Sequence, residues 1–361
     1  MILADLVTHL QQALGILHKQ DIQIAARLLG RSSRQGPEVR SQELELTQNL
    51  ELKTLPTPVP LGAHVEAHSP FPTPHTPLPI LLGDDCAAIP DGSGYLLLAA
   101  EGMLPLLVDT EPWFAGWCAV MVNVSDIYAM GGRPVAVVDT IWSQTTAISE
   151  PLLDGMRAAA AAYSVPIVGG HTNGRSPYNA LSVAILGRAN QLITSFDAQP
   201  GDRLLLATDF RGTPHPKHPF WNAATMADPI QLRDDLAILP HLAETGVCKA
   251  GKDVSMGGIV GSLLMLLETS KCGAVLDLDA IPCPPELLLE QWLLCFPSYG
   301  FLLSVHPDKV DAVRSQFHKR HLVCEAIGEV QSSPQLVLQA QDQSAVFWDL
   351  ATQALTGFSP T

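Results

Sequence analysis

No stretch of eighteen consecutive apolar residues occurs in this 361-residue chain, although 47% of it is apolar, so no segment can cross a bilayer as a helix. The start of the chain, MILADLVTHLQQALGILHKQ, lacks the basic region and the uninterrupted apolar core of a secretion signal, which makes the cytoplasm the expected location. Cysteine is sparse: the seven residues at 86, 118, 248, 272, 283, 295 and 324 form no CxxC pair, which excludes a disulfide framework and leaves them as small core residues. Positive charge is also in short supply. Lys and Arg total 21 against 36 Asp and Glu, a formal net charge of −15, and this argues against nucleic acid as a partner. An anionic ligand therefore needs metal ions or local backbone donors. Several catalytic signatures are absent as well: no GxGxxG opens a helix, and no GxSxG or HExxH occurs. The segment GVCKAGKD, Gly246 to Asp253, comes within one position of a phosphate loop. However, Asp253 replaces the hydroxyl that would hold Mg²⁺, and helical-looking sequence precedes it where a strand is required.

What is present predicts about two domains of roughly 150 residues each. Residues 6–29 carry leucines at helical spacing and predict one or two helices ended by Gly30, giving an amino-terminal helical segment over 1–30. Residues 31–80 are rich in Ser, Gln and Pro and read as a linker or surface insertion. Its histidines, His64, His68 and His75, lack cysteine or carboxylate partners at metal-ligand spacing. From residue 80 onward short apolar strands (95–100, 135–141, 165–170, 180–187, 203–208, 274–278, 300–305) alternate with helices (113–130, 151–163, 256–269, 285–294, 307–319), the texture of an α/β or α+β protein. A turn at 198–202 divides this part into domains at 81–195 and 196–335, leaving a tail at 336–361.

Candidate chemistry lies at element boundaries. The helix over 113–130 is apolar almost all round, so Asn123 and Asp126, three apart on one face, are buried polar groups that need partners. Either they bond neighbouring backbone or Asp126 faces a cation. Mg²⁺ takes several oxygen ligands and shares them with phosphates, so further acids are required: Asp84 and Asp85 before the first long strand, Glu101 at its end, and Asp253 before the helix at 256. Taken singly, each of these could be a solvated turn or, for Asp253, a helix cap. Gly169 and Gly170 end a strand before His171, which makes either a tight turn or a phosphate cradle of backbone N–H groups assisted by the imidazole.

GDDCAAI (83–89), the strand ending at Glu101, NVSDIYAMGGRP (123–134), VGGHT (168–172) and KDVSMGGIVG (252–261) occur in one order. In that order and spacing the chain resembles the AIR synthase-like ATP-binding enzymes. These include aminoimidazole ribonucleotide synthase, thiamine-monophosphate kinase, selenide-water dikinase and a hydrogenase-maturation carbamoyl dehydratase. The resemblance covers roughly 80–335 and implies two α/β domains, a homodimer through the first domain, and ATP in a cleft built mainly by that domain. It implies Mg²⁺ on Asp84 or Asp85, Asp126 and Asp253, with Glu101 at the strand-end position, and ATP contacts from Asn123, Ser125, Gly131, Gly132, Gly169, Gly170 and His171.

Departures accompany the matches. Glu101 stands where the superfamily usually has Asp, and His171 follows the selenide-water dikinase pattern where thiamine-monophosphate kinases carry Asp. The reactive cysteine and lysine of the dikinases' amino-terminal loop are missing, as is the terminal cysteine motif of the hydrogenase-maturation enzyme. The expected activity is ATP- and Mg²⁺-dependent phosphoryl transfer to, or activation of, a small anionic metabolite, with thiamine-monophosphate kinase as the nearest simple pattern. The alternatives are a non-catalytic ATP-binding regulatory protein and a dikinase-like enzyme lacking the reactive loop. Arg211, His215, Lys217 and His218, in DFRGTPHPKHPF, either bind the anionic acceptor or form a solvated loop.

Overall fold

The computed structural model describes residues 3–32 and 80–358, so the three histidines at 64, 68 and 75 and residues 33–79 of the expected linker lie outside the described residues, while residues 31 and 32 continue a helix. The amino-terminal helices are α1 (Leu3–Gln11), α2 (Leu14–Gln20) and α3 (Gln23–Ser32). There are three, and the last runs through Gly30, where the leucine spacing placed the stop. The first domain follows as β1 (Ala87–Asp91), β2 (Gly94–Gly102), α4 (Pro105–Thr110), α5 (Pro112–Ala129), β3 (Arg133–Trp142), α6 (Thr146–Tyr163), β4 (Ile167–Asn173) and β5 (Ala180–Ala189). Its sheet has the order β1-β2-β5-β3-β4, antiparallel except for the β3/β4 edge pair.

The second domain begins with β6 (Arg203–Thr208), β7 (Thr213–Pro214), β8 (Phe220–Asn222), α7 (Pro229–Leu236), α8 (Ile238–Glu244), β9 (Ala250–Asp253) and α9 (Gly258–Ser270). It continues with β10 (Gly273–Asp277), α10 (Leu289–Leu293), β11 (Phe296–Pro297), β12 (Gly300–Val305), α11 (Val310–His318), β13 (Val323–Gln331), β14 (Gln335–Ala340) and β15 (Gln343–Asp349). Seven of these strands form one sheet, β15-β14-β10-β13-β6-β12-β9, and β11-β8-β7 form a small second one. The domain therefore extends beyond residue 335. Residues 336–349, expected within a tail, supply two strands that bury Leu336, Leu338 and Phe347, and glutamines between those apolar positions masked the pattern.

Side-chain alternation along β6 links the two halves of the molecule. Leu205 and Ala207 face a core shared with α5, α6 and α8, while Leu204 and Leu206 face a second core with α1, α9 and β14. A strand buried on both faces needs the continuous apolar run RLLLA that it has.

Helix α5 lies at the centre of the first core. Pro112 occupies its first turn, where a missing N–H costs nothing, and the helix is buried almost throughout. It ends at Gly131, whose φ of +73° places it in the left-handed region. There Gly131 N–H donates to Tyr128 O (2.8 Å) and Gly132 N–H to Ile127 O (2.9 Å), the Schellman pattern. Helix α6 crosses α5 at backbone contact, because a Cβ on Gly116 would lie 2.0 Å from Leu152 O and one on Gly155 1.9 Å from Trp113 O. The helix starts at Thr146, five residues before the predicted 151, and carries Pro151 inside it.

Candidate active site

A cavity of about 760 Å³ opens between the domains and the amino-terminal helices, within the size range of small-ligand sites. Along α5, Phe114, Cys118, Val122 and Asp126 line it at four-residue spacing. That spacing sets one helix face along the cavity for about 18 Å at the usual rise per residue.

At the inner end Asp85, Asp126 and Asp253 converge, one carboxylate oxygen of each lying within 4.8 Å of the others. Each comes from a different place: the turn before β1, the buried helix α5 and the last residue of the edge strand β9. Asp253 lies in the strand, and the helix after it is capped by Gly257, so capping does not explain this carboxylate. Asp85 accepts a hydrogen bond from the Asp253 N–H (3.3 Å) and a close ion pair from Lys252 Nζ, which also lies 3.6 Å from Asp253 Oδ1. Asp126 Oδ2 is buried with no hydrogen-bond partner among the described residues.

Burial is the first cause of the unusual protonation in this cluster. It pushes the Asp126 carboxyl well above its ordinary range, and Asp253 and Glu101 add to the shift. It raises Glu101, the most solvent-open of these acids, with Lys19 opposing and Asp253 reinforcing. Burial also pushes the Lys252 ammonium below its ordinary value, against the attraction of Asp253 and Asp84. One buried ammonium cannot balance three converging carboxylates. The orphaned Asp126 oxygen and the all-oxygen donor set therefore fit a hard divalent cation such as Mg²⁺.

Asp84 does different work. Its carboxylate accepts from the Ser195 N–H (2.9 Å) and hydroxyl (2.5 Å), tying the acidic turn to the segment between the domains. Burial raises its carboxyl to about 6, with the Ser195 bonds opposing the shift. Cys86 is buried core.

The ATP contacts implied by resemblance do not all reach this cavity. Asn123 donates to Ala119 O (2.8 Å), the backbone alternative, while its Oδ1 is buried and unpartnered, and Ser125 is buried within the helix. Gly131 and Gly132 pack where side chains would strike Ala243 and Leu97, at 2.6 and 2.3 Å respectively. Gly169, Gly170 and His171 lie on the exposed edge strand β4 and do not line the cavity. A Cβ on Gly170 would stand 2.5 Å from Asp139 Oδ2, a packing reason for that glycine. Of the basic loop, Arg211 is held by Asp209 and Asp235 (2.7 and 2.6 Å), whereas His215, Lys217 and His218 surround Glu111.

Two lysines in the site escaped the sequence reading. Lys252 was visible only as a polar residue beside Asp253; its partner Asp85 lies 167 residues away, a separation no local pattern encodes. Lys19 projects into the cavity from α2, so the amino-terminal segment does bring a lysine to the acids, from a helix. That helix lies close enough to the second domain that a Cβ on Gly15 would stand 2.2 Å from Met256 O.

Residues 83–189 match the model of the AIR synthase related protein N-terminal domain, and residues 200–341 that of its C-terminal domain. A protein of Synechocystis sp. described as uncharacterized is 54% identical over 358 residues, covering 99% of both chains. The thiamine-monophosphate kinase of Synechococcus elongatus is 25% identical, covering 73% of this chain and 88% of its own. Among solved structures, AaThiL complexed with AMPPCP and TMP superposes with a TM-score of 0.58 at 19% identity, over 74% of this chain and 92% of that one. This last likeness establishes the two-domain α+β fold.

Proposed function

The chain belongs to the AIR synthase related family, and from that premise we propose that it is an ATP- and Mg²⁺-dependent enzyme that phosphorylates, or activates with ATP, a small anionic metabolite. The observation that carries this reading is the convergence of Asp85, Asp126 and Asp253 within 4.8 Å at the inner end of the cavity, with Asp126 Oδ2 buried and unpartnered. In this reading those carboxylates hold Mg²⁺, Lys252 pairs with Asp85 and holds it in place, and Lys19 adds positive charge from α2. Mg²⁺, when bound, neutralises phosphate oxygens and aligns the leaving group, the part of phosphoryl transfer that needs least covalent chemistry from a protein. Apolar side chains line the same cavity, Val122 one turn before Asp126 and Phe114 and Phe296 towards the other end of α5. Relatives point the same way: one is named a thiamine-monophosphate kinase, and one solved neighbour is titled as a complex with AMPPCP.

A homodimer accompanies this reading. The sheet face turned away from α5 exposes Leu98, Val135, Val138 and Leu186, and the edge strand adds Ile167 and Val168, an apolar surface suited to a second copy. The test of the activity is transfer of label from γ-labelled ATP to a panel of phosphorylated and carboxylated metabolites, thiamine monophosphate among them, with and without Mg²⁺. Magnesium-dependent labelling of one acceptor supports the enzyme. Tight Mg²⁺-dependent ATP binding with no labelled product from any acceptor would favour the regulatory alternative.

A further inference from the structure

At the other end of α5 a second cluster stands apart from the acids. Glu111, between α4 and α5, faces His215 and His218, which flank the turn joining β7 to β8. That turn is closed by His215 N–H to Phe220 O and Phe220 N–H to His218 O, both 2.7 Å, so the two imidazoles of HPKH are held on one side. Their rings stack at 5.0 Å, and His215 stacks on Phe114 at 4.7 Å. We infer that Glu111, His215 and His218 bind a divalent cation of the Zn²⁺ class, with an open coordination position facing the cavity.

Three observations carry the inference. The first is the donor set, two imidazoles and one carboxylate within 4.8 Å, the combination that takes Zn²⁺ with a fourth position left open. The second is spacing. Ligand atoms about 2.0–2.1 Å from a tetrahedral ion stand about 3.3–3.4 Å apart, against about 3.0 Å for an octahedral one. Here His215 Nε2 lies 3.2 Å from Glu111 Oε2 and His218 Nε2 lies 3.3 Å from Glu111 Oε1, so each imidazole stands at ligand spacing from a different oxygen of the one carboxylate. The third is the absence of hydrogen bonding where distance alone would allow it. Glu111 Oε1 and His218 Nε2 are both buried and, despite their 3.3 Å separation, do not hydrogen-bond to each other; Oε1 has the Lys217 ammonium beside it, and His218 Nε2 has no hydrogen-bond partner among the described residues. Two atoms this close and not bonded to each other have the arrangement of neighbouring ligands around a third atom.

Lys217 is the competing group. Its ammonium lies 3.3 Å from Glu111 Oε1 and its amide 3.3 Å from His215 Nδ1. Metal at His215 Nε2 requires a proton on Nδ1, so the amide contact opens on binding, while the Lys217 side chain, 64% exposed, is free to turn its ammonium outward. His218 also lines the cavity that ends at Asp126, so an ion here would present its free position to whatever occupies that space. The inference does not rest on nucleotide binding.

The test uses the full chain without an affinity tag, stripped of metal and titrated with Zn²⁺ against a chromophoric chelator, then with Co²⁺ by visible absorption. The expected result is one equivalent of Zn²⁺ that excess Mg²⁺ does not displace, together with the intense bands of four-coordinate Co²⁺. His218→Ala and Glu111→Gln should each weaken Zn²⁺ at least about 100-fold, while Asp126→Asn leaves it unchanged. Equal Zn²⁺ affinity in all variants, loss of binding with Asp126→Asn, weak six-coordinate Co²⁺ bands, or no saturable binding would each overturn the assignment. Should His218→Ala melt early, the Co²⁺ spectrum of the unaltered chain decides alone.

Discussion

Glu111 and Asp126 sit at opposite ends of the same helix and meet opposite surroundings. Asp126 is buried among oxygen donors drawn from both domains, with one ammonium for three carboxylates. Glu111 lies near the surface among nitrogen donors from one hairpin, and an exposed lysine neutralises part of its charge. Burial first favours the protonated Glu111, yet the Lys217 ammonium and the two histidines hold its carboxyl below its ordinary value, whereas Asp126 is driven up. The difference teaches that one helix can carry an all-oxygen cluster near one end and a mixed nitrogen and oxygen cluster at the other, the donor set being fixed by what the other elements bring.

The largest expected effect comes from removing the buried ammonium that pairs with Asp85. Lys252→Met leaves Asp85 and Asp253 uncompensated and should lower metal-free stability by about 3–5 kcal/mol in urea unfolding, with part of the loss restored by Mg²⁺. Equal loss with and without Mg²⁺ would remove the charge argument. Next comes protonation. Asp126 and Asp84 have folded-state values raised above the ordinary carboxylate range, Asp84 to about 6, so the native protein binds more protons than the unfolded chain. The contribution of these two groups to metal-free stability should therefore be fullest below the ordinary carboxylate range and fall as pH rises, through about 6 for Asp84 and higher for Asp126, and Mg²⁺ should flatten that fall. Asp126→Asn, which removes an orphaned carboxylate, should stabilise the metal-free protein by about 1–3 kcal/mol at alkaline pH and little under acidic conditions. A destabilising Asp126→Asn would mean that the carboxylate has a partner in solution. At the other end, Lys217→Ala breaks only a surface pair and should move stability by less than about 1 kcal/mol in the same assay. A larger loss would erase the contrast between the two ends.

Much of the architecture was legible because buried strands and helices carry uninterrupted apolar patterns, as in RLLLAT and the α5 segment. β13 to β15 were not, because their outward positions hold Glu and Gln beside apolar ones, and β9 was hidden by the pairing of Lys252 and Asp253. In the site, Asp85 and Asp253 were readable as acids at element boundaries and Asp126 as a buried carboxylate inside a helix, and it was the family resemblance, not local pattern, that joined them. By the family pattern Asp85 read as the direct metal ligand and Asp84 as its support; in the bend that precedes β1, Asp84 accepts from Ser195 while Asp85 faces the cluster. Glu111 gave no signal, because its histidines lie about a hundred residues further on and meet it only through the hairpin of β7 and β8.

The most direct test of the nucleotide clamp is calorimetric titration of ATP into the full chain with and without Mg²⁺, repeated with Asp126→Asn. The account predicts binding that requires Mg²⁺ and weakens at least about 100-fold in the variant. ATP binding of equal strength without Mg²⁺, and unchanged by Asp126→Asn, would contradict it.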